Sequence, residues 1–169
     1  PKSKELKKFI NEERNNRKLS KQILNDIKNM PKKAHPMDAI RTAVSLMGLE
    51  DIDVRDNSPK ANMKKAMRIF AQTPTAVAAY FRARKGKKSI PPNKKLSYSE
   101  NFFNMMFGKV PNKEIVKAFD ISMILYAEHS FNVSTFTART ITSSLSDMHG
   151  AITGAIASLK GPLHGGANE

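Results

Sequence analysis

The feature that most constrains the fold is a succession of helix start and stop signals along the chain. Ser20 and Ser58 stand where a helix can begin, because a serine hydroxyl accepts a hydrogen bond from an early backbone N–H. Pro36 fits the first turn of a helix, whereas Pro31 and Gly48 stand where a helix can end. Between these signals apolar residues recur at helical rather than alternating spacing, so the sequence predicts an all-α chain.

The predicted helices cover most of the chain. Pro74 falls inside the fourth of them, and a kink or break is expected there because proline lacks the backbone donor that a helix interior needs. Segment 133–146 is rich in Thr and Val, which favour strands, but it lacks strict alternation and is predicted to be helical. The predicted helices run over about 3–13, 20–30, 35–48, 58–84, 97–108, 112–128, 134–145 and 147–160.

Length and composition narrow the function classes. At 169 residues the chain is long enough for one domain with its own core. It has no cysteine, which excludes a disulfide framework, a thiolate nucleophile and a cysteine-based zinc site. It also lacks the HExxH, Gly-rich Lys-Ser/Thr and GxSxG motifs of metalloproteases, nucleotide-binding loops and serine hydrolases.

No window of the sequence approaches the ~20 apolar residues that a membrane-spanning helix needs. The start has neither an initiator methionine nor the apolar core of a signal peptide, and it reads as a chain entered part-way. We therefore expect a soluble, cytoplasmic protein without a membrane partner.

The net charge of +14 raises the question of a nucleic-acid partner. Basic residues are spread over 2–8, 60–68 and 82–95, without interleaved aromatic residues or a zinc-finger pattern. A generally basic surface is therefore favoured, and nucleic-acid binding is the weaker alternative. Segment 85–97, rich in Gly, Pro and Lys, is predicted to be an exposed basic loop.

The histidines divide into structural and chemical candidates. His35 lies at a helix entrance and His149 in a first helical turn, where a local hydrogen bond and a surface position are expected. His129 is followed by Asn132 and Ser134, polar groups that suit a carboxylate- or carbonyl-bearing ligand. The spacing of this set alone fits a buried core histidine equally well.

His164 lies in the glycine-rich turn GPLHGGANE. The glycines permit unusual backbone angles and close approach by a substrate. If a helix begins directly after this turn, its positive end disfavours the imidazolium. It would then keep a neutral imidazole that can donate a hydrogen bond to a carbonyl oxygen gaining negative charge.

Three segments together resemble the citrate synthase family, especially its short prokaryotic and 2-methylcitrate synthase type. They are AHPMDAIRTAVSLMG (34–48), LYAEHSFNVSTFTART (125–140) and SDMHGAITGAIASLKGPLHGGANE (146–169). The resemblance covers essentially the whole chain. It implies an all-α, multi-helical fold of which residues 1–169 form an incomplete large domain, with the rest of the small domain and the C-terminal half absent.

The same resemblance implies a homodimer that condenses acetyl-CoA or propionyl-CoA with oxaloacetate. The coenzyme A thioester is then a substrate, and neither a metal nor a cofactor is needed. His164 would be catalytic, donating a hydrogen bond to the thioester carbonyl, while His129 and Asn132 would bind oxaloacetate and Ser134 would orient His164. The turn would be shaped by Gly165, Gly166 and Asn168.

The chain departs from the family pattern by stopping at Glu169. In the family an aspartate general base, a second catalytic histidine and several carboxylate-binding arginines follow the HGGAN motif. None of these lies in this chain, so the 169-residue chain alone is predicted to be inactive. Arg139 could meet a carboxylate, but an ion-pair or interface role is favoured for it. The alternative function is a helical binding or scaffold module that has lost catalysis.

Overall fold

A computed structural model describes residues 3–127 and 131–168 of the chain, and this described part folds into eight α-helices and a short 3₁₀ turn without strands. The prediction of an all-α fold is confirmed. None of the described helices is both long and apolar enough to cross a bilayer. The elements are α1 (Ser3–Asn16), α2 (Lys21–Asn29), α3 (Pro36–Glu50), α4 (Pro59–Arg84), α5 (Tyr98–Phe107), α6 (Lys113–Leu125), α7 (Val133–Ser143), α8 (Met148–Leu159) and the 3₁₀ turn η1 (Gly165–Asn168).

Local capping sets the helix boundaries. The Ser20 hydroxyl accepts a hydrogen bond from Ile23 N at 3.0 Å, which satisfies a donor that the first turn of α2 leaves unpaired. Ser97 and Glu100 form a reciprocal capping box at the start of α5, and Gly108 ends that helix in the left-handed conformation with φ of 78°. The predicted helix starts at these positions are confirmed because each depends on neighbouring residues alone.

One boundary prediction is wrong, and of the kink or break expected at Pro74 the break is not found. Helix α3 does not end at Gly48 but continues to Glu50, and Gly48 is buried against α8, where a Cβ would lie 2.9 Å from the Cβ of His149. Helix α4 is not broken at Pro74 but runs as 26 residues. Beside that proline the Thr73 hydroxyl donates to Ile69 O, and the buried Thr75 hydroxyl donates to Arg17 O at 2.7 Å. Side-chain hydrogen bonds and tertiary packing hold the helix together across Pro74.

The core lies between α2, α3 and α4, with α8 packed along α3. Tyr80 on α4 is buried, and its hydroxyl lies 2.8 Å from Pro31 O and 3.1 Å from Ala34 O, so it ties the α2–α3 connection to the core. Burial of these apolar side chains is the main stabilising contribution. The buried core cluster comprises Leu19, Ile23, Ile27, Ala39, Ala43, Val44, Met47, Ala76, Ala79 and Tyr80.

Segment 85–97 connects α4 to α5, and its lysine side chains are exposed. Its second half is held by Arg17, which is 1% exposed and paired with the buried Glu13. The Arg17 guanidinium donates to Asn93 O at 2.9 Å and to Leu96 O at 3.0 Å. A buried arginine therefore fixes the backbone of this connection.

His149 is the third sequence expectation that the structure overturns, because it is 2% exposed rather than at the surface. Its Nε2 lies 3.5 Å from a carboxylate oxygen of Asp51, which also pairs with Arg68 at 2.6 Å. Its buried Nδ1 has no hydrogen-bond partner among the described residues. Burial lowers the pKa of His149, outweighing the nearby Asp51 and Asp147 carboxylates, which raise it.

We expect the Gly48→Ala substitution to destabilise the fold by about 1 to 3 kcal/mol, because overpacking against the Cβ of His149 outweighs the gain in helix propensity. Urea unfolding followed by circular dichroism measures this change. The control is Ser45→Ala on the exposed face of the same helix, which should leave stability unchanged or slightly raised. A stabilised Gly48→Ala variant would contradict the close packing of α3 and α8.

We expect stability to fall as the pH drops below about 6.5, by at most about 1.4 kcal/mol per pH unit from His149. The pKa of His149 is lowered in the folded state, so the unfolded chain binds the proton first and acid favours unfolding. The stabilisation that neutral His149 contributes is complete above the pKa of this histidine in the unfolded chain. It is lost as the pH falls towards its lower pKa in the folded chain.

Unfolding of the His149→Gln variant should depend less on pH between 7 and 5 than unfolding of the wild type. The carboxyl groups of Asp38 and Asp51 have lowered pKa values, so their contribution is lost in a separate, more acidic range. An equal pH dependence in the wild type and His149→Gln would rule out this role for His149.

Candidate active site

The glycine-rich turn after α8 is tightly hydrogen-bonded. The backbone N–H groups of His164 and Gly166 both donate to Gly161 O, at 2.9 and 3.2 Å, and η1 begins directly after His164. One carbonyl therefore holds the backbone on both sides of His164, whose side chain is half-buried.

Two glycines are required by close backbone contacts in this turn. A Cβ at Gly165 would overlap the carbonyl oxygen of Leu159, and a Cβ at Gly166 would lie 3.1 Å from Gly161 O. Any larger residue would push the turn away from the end of α8. Asn168 ends the 3₁₀ turn.

The start of α7 brings a second group of polar residues to His164. Asn132 caps α7, its side-chain oxygen accepting from Thr135 N at 2.6 Å. The Ser134 hydroxyl lies 2.9 Å from that same oxygen and 3.1 Å from Nε2 of His164. The structure thus brings together three of the residues singled out in the sequence. His129, which was predicted to bind the ligand, lies outside the described residues.

The hydroxyl of Ser134 lies between Asn132 and His164, donating to Asn132 Oδ1 at 2.9 Å and lying 3.1 Å from His164 Nε2. Ser134 carries one proton and has two acceptors within reach, Asn132 Oδ1 and His164 Nε2. Asn132 Oδ1 already accepts the short bond from Thr135 N. When Ser134 donates to Nε2, a neutral imidazole carries its proton on Nδ1, and that nitrogen becomes a hydrogen-bond donor.

The packing of α7 on α8 holds these groups at this distance. Gly154 of α8 lies beneath the Ile141 side chain of α7, where a Cβ would overlap the terminal methyl of Ile141. Small residues on both helices permit this approach. Arg139 is exposed on α7, and its interface role stays a prediction.

Asp38 and Lys160 are the residues near this site that the sequence reasoning missed. Lys160 caps the end of α8, and its ammonium lies 2.6 Å from a carboxylate oxygen of Asp38 in the first turn of α3. Within residues 3–127 and 131–168, no three potential metal-ligating side chains come together.

The chain matches the family model described as citrate synthase, C-terminal domain, over residues 1–169. It is 48% identical over 165 residues to a citrate synthase from Mycolicibacterium smegmatis. The aligned region covers 98% of this chain and 44% of the relative. It is 50% identical over 169 residues to a 2-methylcitrate synthase from Mycobacterium tuberculosis. The aligned region covers 100% of this chain and 42% of the relative. The chain thus spans less than half the length of these relatives.

Solved structures agree with the sequence matches. The citrate synthase from Pyrobaculum aerophilum superposes with a TM-score of 0.92 at 35% identity, over 99% of this chain and 44% of that one. A citrate synthase from Thermoplasma acidophilum, solved as a ternary complex with carboxymethyl coenzyme A and oxaloacetate, superposes with a TM-score of 0.92 at 29% identity, over 99% of this chain and 44% of that one.

We expect Ser134→Ala to change the tautomer of His164, because the variant removes the hydroxyl that, by donating to Nε2, would leave the ring proton on Nδ1. Nitrogen chemical shifts of ¹⁵N-labelled histidine report the tautomer. The wild type should show a protonated Nδ1, and the variant should lose this preference. Ser144→Ala at the other end of α7 is the matched control. Identical His164 spectra in the wild type and Ser134→Ala would contradict the assignment.

Proposed function

The chain belongs to the citrate synthase family, and on this premise we propose that it supplies part of the active site of an acyltransferase that condenses an acyl-CoA with oxaloacetate. The α-carbon of the acyl group forms a bond to the keto carbon of oxaloacetate, and hydrolysis of the thioester then releases coenzyme A. The observation that carries the proposal is the contact between His164 and Ser134 on a glycine-rich turn.

His164 is the proposed electrophilic group. Removal of a proton from the α-carbon moves negative charge to the thioester carbonyl oxygen, and a neutral imidazole that donates a hydrogen bond stabilises that charge. We propose that in the working site Ser134 turns its hydroxyl proton from Asn132 Oδ1 to Nε2 of His164, which makes the Nδ1–H of His164 the donor. Ser134 acts by holding the ring and its tautomer.

Oxaloacetate is proposed to bind beside this group, on His129 and Asn132. Its carboxylates are anions, and the start of α7 offers the positive end of a helix dipole. Asn132 Oδ1 accepts the capping hydrogen bond from Thr135 N, so its amide NH₂ is the group suited to a carboxylate.

A hydrogen-bond donor does not abstract a proton, so the reaction needs a separate base. We place that aspartate, the second histidine and the substrate-binding arginines in the remainder of a longer chain. The 169-residue chain alone is then inactive, and the complete enzyme works in the cytoplasm.

An exposed apolar face supports the proposal of a homodimer. Helix α6 has no buried residue, and its end exposes Ile124, Leu125 and Tyr126 by 73, 72 and 75%. On α7 the side chain of Phe136 is 72% exposed. Exposed apolar patches of this kind mark surfaces that a partner covers, and we propose a second copy of the chain as that partner.

We expect the full-length protein to release free coenzyme A from acetyl-CoA or propionyl-CoA in the presence of oxaloacetate. The His164→Ala variant should lower kcat by roughly 10²- to 10³-fold, as the loss of one donor to a developing oxyanion does elsewhere. Thiol release measured with both acyl-CoAs tests this prediction and ranks the two substrates. Steady coenzyme A release by the 169-residue chain alone would refute the assigned division of the active site.

We expect Leu125→Lys to shift the full-length protein from dimer towards monomer, because a lysine would have to be desolvated in the apolar interface. Sedimentation equilibrium measures the change. Met63→Lys is the matched control, since Met63 is also 72% exposed but lies on α4. A dimer of undiminished affinity in Leu125→Lys would place the interface elsewhere.

A further inference from the structure

An ion pair ties the end of α8 to the start of α3. Lys160 Nζ lies 2.6 Å from Asp38 Oδ2 across a sequence separation of 122 residues. Lys160 directly precedes Gly161, whose carbonyl accepts the backbone hydrogen bonds of His164 and Gly166. The pair therefore holds the residue on which the His164 turn depends.

Asp38 is itself firmly placed. It lies in the first turn of α3, where the helix dipole favours a carboxylate, and Arg41 contacts its other oxygen at 3.0 Å. The hydrogen bond from Lys160 is the largest of the causes that lower the pKa of Asp38. The next residues of α3, Ala39 and Ile40, are buried, so this helix is a fixed base for the contact.

The opposite end of α8 is also fixed on α3, through the contact of His149 with Gly48 and Asp51. Rotation or sliding of α8 along α3 would have to break contacts at both ends. Without Lys160, the end nearer His164 would lose its charged link, and the turn would rest on its own backbone hydrogen bonds and on the 3.1 Å contact with Ser134.

We propose that Lys160 is a positioning residue, which through its ion pair with Asp38 holds the His164 ring in register with Ser134. Lys160 touches no reacting atom. The expected effect of Lys160 on kcat rests on the proposed function, whereas its effect on the placement of the His164 ring does not.

The kinetic test uses the full-length enzyme well below its melting temperature. Lys160→Met should lower kcat by roughly ten- to a hundredfold, because small displacements of a catalytic group have effects of this size, with little change in the KM for oxaloacetate. Lys160→Arg keeps the charge and the donor, so it should restore kcat to near the wild-type value. Asp38→Asn should match Lys160→Met, and the double variant should be no slower than either single one.

Lys8→Met is the control for the loss of a lysine, since Lys8 pairs only at 3.9 Å with Glu12 on an exposed face. It should leave kcat unchanged. A fall in Tm for Lys160→Met without a fall in kcat would assign the pair a purely structural role and overturn the proposal. Equal kcat values for Lys160→Arg and Lys160→Met would also overturn it.

A second readout separates this inference from the proposed function. In the ¹⁵N-histidine spectrum of the chain, Lys160→Met should shift the His164 resonances and leave those of His149, at the opposite end of α8, in place. If the wild-type enzyme releases no coenzyme A, the proposed function fails, and this spectrum still decides the positioning role. An unshifted His164 signal in Lys160→Met would reject it.

Discussion

The close contact of α3 with α8 is the constraint on which the rest of the structure depends. Gly48 leaves just enough space for the buried His149 side chain, so the two helices approach closely at this point. Because closely packed helices cannot shift by small amounts without clashes, the position of one helix fixes the position of the other. Once α8 is fixed on α3, the helix α7 that packs on it and the turn that leaves its end are fixed as well.

Polar contacts at the two ends of α8 complete this arrangement. Asp51 meets His149 at the start of the helix, and Asp38 meets Lys160 at its end. Partly buried charged pairs add little net stability, but removing one partner is costly, so they discriminate between registers of the same helices. The stability of the fold and the placement of the His164 turn therefore have different physical sources. Apolar burial supplies the first, and paired polar groups supply the second.

The sequence was sufficient for features set by neighbouring residues. Caps such as Ser20 and Ser97 operate over three residues, and helix starts were predicted from them correctly. The roles of Gly48 and His149 differ from the expectation because both depend on the contact between these two residues, which lie about a hundred positions apart in the chain. The Lys160 contact likewise has no local signal. In the candidate site, the sequence motifs predict Asn132, Ser134 and His164 as site residues, but the distances between them depend on how α7 and α8 pack.

The most direct test of the account is a crystal structure of the full-length protein with oxaloacetate and carboxymethyl coenzyme A, whose carboxyl group stands in for the enolised thioester. In this complex Nδ1 of His164 should lie about 3 Å from an oxygen of that carboxyl group, while Nε2 keeps its contact with Ser134. A complex in which the His164 ring points away from the analogue, or in which Ser134 has left the ring, would contradict it.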